Sequence, residues 1–105
     1  MKFEGGSVGI QPIGNKLPSS FALRQNYPNP FNPITNIEFD IPKSSSVRLT
    51  VYDIRGREVS VLLNEKLNAG SYRVMFDGSN LSSGIYFYRL TGKDYTKVMK
   101  MVLIK

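Results

Sequence analysis

The feature that most constrains this sequence is a two-residue alternation of apolar and polar side chains, which runs through most of the chain after residue 20. Apolar residues, most of them β-branched or aromatic, occupy every second position in TNIEFDI, VRLTVYD, SYRVMFD and IYFYRL. Successive side chains of a β-strand point to opposite faces of a sheet, so the pattern is typical of strands with one buried face. Since no window offers a convincing amphipathic helix, the chain is predicted to be all-β.

Turn signals divide this alternation into short segments. Gly, Pro, Asn and Ser cluster between the apolar segments at intervals of about 8–15 residues, as in β-sandwiches. Seven strands are predicted, at about residues 21–25, 35–41, 47–53, 57–63, 71–77, 85–92 and 95–104. Seven short strands in a chain of 105 residues favour a single immunoglobulin-like antiparallel β-sandwich.

The same patterns divide the chain into two parts. Residues 1–20 are rich in Gly, Ser, Asn and Pro without sustained periodicity, and are predicted to be a linker or N-terminal extension. Residues 21–105 are predicted to form the folded domain. Its core is expected to contain one face of the strands, namely Phe39, Leu49, Val51, Val74, Phe76, Tyr86 and Leu90.

Three prolines lie within six residues ahead of the second predicted strand, at Pro28, Pro30 and Pro33. Proline has no N–H, fixes φ and pushes the residue before it toward extended geometry. The segment PNPFNP is therefore predicted to be a rigid, extended crossing from the first strand to the second. Phe31 is expected to plug one end of the core.

The absence of both Cys and His argues against an enzyme. Without Cys there is no disulfide or thiolate metal site, and without His the commonest metal ligand and general base are missing. Asp53, Asp77 and Asp94 lie near predicted strand ends, where aspartate is more typical of turns than of a calcium site. No catalytic residue, cofactor or metal is predicted.

Positive charge is concentrated at the C-terminus of this chain, whose net charge is +6. Four lysines lie in the last thirteen residues: Lys93, Lys97, Lys100 and Lys105. Such a charge can attract an anionic partner, although no specific nucleic-acid binding is predicted. The last strand places Met99, Met101 and Leu103 on one face, which suits either a central strand or an edge offered to a partner.

The order and spacing of the motifs resemble the type A C-terminal sorting domain of type IX secretion, the Por secretion system sorting domain family of Bacteroidetes-like bacteria. The motifs are YPNPFNP with a following I-x-F strand, VYDIRGREV, LNAGSYRVMFDGSNLSSGIYFYRL and a terminal KMVLIK. The resemblance runs from about Phe21 to Lys105. It implies an immunoglobulin-like sandwich that is not an enzyme.

The resemblance also implies a function and its partners. Such a domain is covalently part of a larger secreted cargo protein, which crosses the periplasm and the type IX outer-membrane translocon to reach the cell surface or the medium. A sortase-like surface peptidase commonly removes the domain and can join the cargo to lipopolysaccharide; the cut would fall within about residues 5–20. Translocon recognition is expected at Gly84, Tyr86, Lys97, Lys100, Met101, Val102 and Lys105. Neither an export signal nor a transmembrane segment is recognised, so an excised piece of a longer precursor is expected.

Two alternatives remain open at this point. NPFNP, VYD-x-x-GREV and SG-x-Y also resemble the structural immunoglobulin-like domain of flagellar hook-capping proteins. Those domains usually carry a longer, Asp-rich insertion before SG-x-Y, whereas FDGSNLSSGIY is short here and the chain ends in KMVLIK. An accessory interaction domain of a secreted enzyme, such as a carbohydrate-binding module, would need exposed aromatic side chains that the alternation does not supply.

Overall fold

The computed structural model describes residues 9–105, which form eight strands in two antiparallel sheets. The strands are β1 (Ile10–Ile13), β2 (Ala22–Leu23), β3 (Ile34–Ile41), β4 (Ser45–Tyr52), β5 (Glu58–Leu67), β6 (Gly70–Asp77), β7 (Gly84–Thr91) and β8 (Thr96–Leu103). Sheet 1 has the order β1-β6-β3-β2 and sheet 2 the order β5-β4-β7-β8. Between residues 9 and 105 there is no α-helix, and hence no helix that could cross a membrane.

The all-β prediction is confirmed, but eight strands are found in these residues rather than the predicted seven. The additional strand is β1, which lies within the predicted linker and pairs with β6 from Ile10 opposite Val74 to Ile13 opposite Ser71. Its sequence, IQPI, is too short to show an alternation. Pro12 is tolerated because β1 is an edge strand, where the proline nitrogen, which has no hydrogen to donate, can face solvent. Residues 1–8 of the predicted extension lie outside the described residues.

One buried cluster joins the two sheets, because each strand turns its alternating apolar face inward. All seven predicted core residues belong to it. The cluster also contains Leu23, Phe31, Ile37, Ile41, Val47, Leu63, Tyr88, Met101 and Leu103. With no cysteine in the chain, this apolar burial is the main stabilising term of the fold.

The segment between β2 and β3 is a bent hairpin loop rather than the predicted extended crossing. Tyr27 and Asn36 exchange two backbone hydrogen bonds of 3.0 Å, so the loop leaves and re-enters sheet 1. Its three X-Pro peptide bonds are cis, at Pro28, Pro30 and Pro33. As predicted, Phe31 is buried; its ring lies 6.0 Å from that of Phe76.

Candidate functional site

The terminal strand β8 is an edge strand of sheet 2, with a β-strand neighbour on one side only. It pairs with β7 along its whole length, from Thr96 opposite Thr91 to Leu103 opposite Gly84. The predicted alternation is confirmed, since Met101 enters the core while Lys100 is exposed on the other face. An edge position leaves the outward N–H and C=O groups of β8 in need of partners.

The loop at residues 25–33, called the capping loop below, supplies those partners at the C-terminal half of β8. The Phe31 N–H donates to the Val102 carbonyl, and the Phe31 carbonyl accepts from the Ile104 N–H, both at 2.9 Å. The Asn29 side-chain oxygen accepts from the Val102 N–H at 3.0 Å. The capping loop therefore closes this part of the edge in the manner of a short parallel strand.

The Tyr88 hydroxyl fixes the start of the capping loop to sheet 2. It donates to the Arg24 carbonyl at 2.6 Å and accepts from the Asn26 N–H at 2.7 Å. Burial raises the pKa of Tyr88 to about 12, because the charged phenolate is disfavoured away from water. Beside it, the Gln25 side-chain amide donates to the Lys100 carbonyl at 2.7 Å.

A buried polar network sets the curve of the capping loop. The Asn26 side-chain amide donates to the Pro28 carbonyl at 3.1 Å and to the Thr35 hydroxyl at 3.0 Å, and that hydroxyl donates to Pro28 at 2.8 Å. Burying these groups without partners would be costly. At the tip, Phe31 packs so closely on Gly78 that a Cβ there would lie 3.3 Å from its ring.

Six of the seven positions expected to be recognised by a translocon lie on the β7–β8 ladder, and four of these six are Gly84, Tyr86, Met101 and Val102. Gly84 begins β7, Tyr86 pairs with Met101, and Val102 is the next residue along β8. Tyr86 and Met101 are buried, and the Tyr86 hydroxyl donates to the Ser82 carbonyl at 2.7 Å. Their side chains face the core and are not available to a partner of the folded domain.

The remaining three positions, Lys97, Lys100 and Lys105, are exposed. Within residues 9–105 every ion pair uses an arginine: Arg24–Asp40, Arg48–Glu58, Arg57–Asp53 and Arg73–Glu38. Lys105 donates its ammonium group to the Ser79 carbonyl at 2.6 Å. Lys97 and Lys100 thus carry charges that no described carboxylate neutralises.

The aspartates considered for a calcium site belong to three different turns. The Arg57 backbone N–H lowers the pKa of Asp53, which follows β4, and the Ser79 hydroxyl lowers the pKa of Asp77, at the end of β6. Asp94 lies between β7 and β8. No group of three or more potential metal ligands forms among residues 9–105.

Sequence reasoning missed the side chains that hold the terminal strand, above all Asn29, Gln25 and Tyr88. Asn29 and Val102 are 73 positions apart, and no local pattern reports a contact of that range. One signal was available, namely the asparagine side chains between the prolines. An Asn side chain can both donate and accept hydrogen bonds, so it can pair with backbone groups of another strand.

These features define a class: an all-β domain of two antiparallel sheets with a basic edge strand. The family model described as a secretion system C-terminal sorting domain matches residues 25–105, from the start of the capping loop to the end of the chain. The chain belongs to this family and is a C-terminal sorting signal of type IX secretion. No curated protein matches it.

Three further properties follow from membership of this family. The domain is part of a larger secreted cargo protein, and its signal implies export toward the cell surface or the extracellular space. The family is not a family of enzymes. The resemblance to type IX sorting domains is thus confirmed, and the hook-capping alternative is not favoured.

Proposed function

We propose that this immunoglobulin-like domain addresses its cargo, during transit through the periplasm, to the type IX outer-membrane translocon by presenting the lysines of β8. A sortase-like surface peptidase then removes the domain in the linker that precedes it. The observation that carries the proposal is the exposure of Lys97 and Lys100 on an edge strand, without an ion pair among residues 9–105.

The expected recognition residues take different parts in this proposal. Lys97, Lys100 and Lys105 contact an anionic surface of the translocon, and the half-buried Val102 adds an apolar contact beside them. Tyr86 and Met101 are positioning residues, because their burial holds β7 and β8 together. Gly84 positions the start of β7 opposite the end of β8.

Electrostatic attraction suits a step in which a folded domain must find one membrane complex. Complementary charges at the rim of an interface raise the association rate and exclude wrong partners more than they add affinity. Their effect falls when salt screens exposed charges. Translocation should therefore depend on the position of the β8 lysines and not only on the net charge of the domain.

A reporter placed ahead of the 105-residue chain, behind a signal peptide in a type IX host, tests this proposal. The double variant Lys97→Gln and Lys100→Gln should reduce the exported reporter several-fold and increase the periplasmic fraction. Lys105 is kept, because its bond to the Ser79 carbonyl gives it a structural contact. Exposed lysines contribute little to folding, so circular dichroism of the purified variant should be unchanged.

The matched control removes the same amount of positive charge from a different part of the surface. Lys43→Gln with Lys66→Gln alters two exposed lysines outside β7 and β8 and should leave export at the unmodified level. Equal export by both double variants and the unmodified chain would contradict recognition through the lysines of β8. A shared loss in both variants would mean that only net charge matters.

A further inference from the structure

Residues 9–13, which lie ahead of the family-matched region, are held by sheet 1. Residues 10–13 pair with β6 at one edge of the sheet, and Ile10 packs against the core cluster. Gly9 lies so close to Met75 that a Cβ would sit 3.3 Å from its carbonyl oxygen. Residues 9–13 are thus engaged with the domain although the family match begins only at residue 25.

The next segment, residues 14–20 (GNKLPSS), is different. No backbone hydrogen bond joins it to the rest of residues 9–105, and all of it is exposed except the half-buried Pro18. The Leu17 side chain is 74% exposed. The fold resumes at Phe21, whose ring stacks on Tyr95 at 4.9 Å.

A peptidase binds its substrate as an extended chain whose backbone groups are free. In residues 10–13 the backbone groups that face β6 are already paired, whereas six of the seven residues from 14 to 20 are exposed and Pro18 is half-buried. We infer that the surface peptidase cuts between Gly14 and Ser20, so that the cargo leaves with β1 attached. This inference rests on the processing step of the proposed function and places its scissile bond.

The cut is the hydrolysis of one peptide bond. The carbonyl carbon on the cargo side gains the hydroxyl of water, and the nitrogen on the domain side gains a proton and becomes a new N-terminus. Before the cut, the covalent tether keeps β1 at a high effective concentration beside β6. Afterwards only four paired residues hold it, and a strand so short does not stay bound without its tether.

The cleaved reporter from a type IX host identifies the bond directly. Mass spectrometry of the exported reporter should find its C-terminus at one of residues 14–19. A reporter ending before Ile10 would overturn the inference while leaving the processing step intact. Complete export without any cleavage would overturn both, and loss of export would count against the sorting role itself.

Two double variants of residues 14–20 test whether the peptidase depends on the backbone conformation of this loop or on its side chains. Lys16→Pro with Ser19→Pro leaves residues 10–13 untouched but introduces prolines that restrict the backbone a peptidase must grip. Processing should fall about tenfold or more with export retained, whereas Lys16→Ala with Ser19→Ala should be processed normally. Normal processing of the proline variant would place the scissile bond outside this loop.

Subtilisin provides a probe of accessibility that is independent of the host. Brief digestion of the purified 105-residue chain should give first cuts among residues 9–105 within the 14–20 loop. First cuts within residues 9–13 would show that β1 does not protect its backbone and would remove the basis of the inference.

Discussion

At the scale of single residues, Tyr88 has the largest consequence for the site, because one buried hydroxyl satisfies two backbone groups at the start of the capping loop, the Arg24 carbonyl just before it and the Asn26 N–H within it. Tyr88→Phe leaves the Asn26 N–H and the Arg24 carbonyl without this partner, so we expect a loss of about 1–3 kcal/mol in the free energy of unfolding. Urea unfolding measures it. Tyr72→Phe is the control, since that hydroxyl bonds the Asn68 carbonyl in an exposed turn; equal losses would contradict the proposed role.

The pKa of Tyr88 also predicts how stability depends on pH. Burial raises this pKa to about 12 in the folded protein, against about 10 in an unfolded chain. The folded state holds the proton more tightly, so the stabilisation is complete below about pH 10 and is lost as the pH rises toward 12. Urea midpoints should fall over this range, and Tyr88→Phe should make the fall shallower because one titrating group is gone. An unchanged slope would count against burial of this hydroxyl.

At the scale of elements, the capping loop and β8 form one unit, in which a proline-rich loop covers half of a strand edge. Asn29→Ala removes the acceptor of the Val102 N–H. One lost hydrogen bond of about 1 kcal/mol should speed hydrogen exchange of the Val102 amide roughly five- to tenfold. The Ile104 amide, which is bonded to the Phe31 backbone, should change less.

Asn32→Ala is the matched control for this exchange experiment, since Asn32 is an exposed asparagine of the same loop. It should leave the exchange of Val102 unchanged in a two-dimensional amide spectrum. If Asn29→Ala has no larger effect than Asn32→Ala, the Asn29 side chain does not protect the Val102 amide.

At the scale of the whole molecule, β1 and β8 are edge strands of different sheets. β1, where the chain enters from the cargo side, is at one edge of sheet 1, and β2, at the other edge, contacts β8. The terminal strand is therefore separated from the entry point of the chain by the width of the sandwich.

The net charge of +6 gives a prediction at the same scale. The domain should be retained on a DNA column at low salt and released by about 200 mM salt, because such binding rests on counterion release alone. No preference among DNA sequences is expected. Tight, sequence-dependent binding at that salt concentration would indicate a nucleic-acid function and contradict the sorting assignment.

The sequence by itself determined the strands that carry a two-residue alternation and the residues they bury. Phe39, Val74 and Leu90 could be assigned to the core because alternation is a local property that survives in any sheet order. The ordered motifs from YPNPFNP to KMVLIK were also sufficient for the family, which the match over residues 25–105 confirms.

The tertiary structure alone decided the rest. Whether β8 is central or at an edge depends on the order of strands, and β1 forms only because β6 offers it an unpaired edge. The role of the proline segment likewise depends on a contact between Asn29 and Val102, 73 positions apart. Such contacts arise from the packing of two sheets, so their physical cause lies in the neighbours that folding brings together and not in any local run of residues.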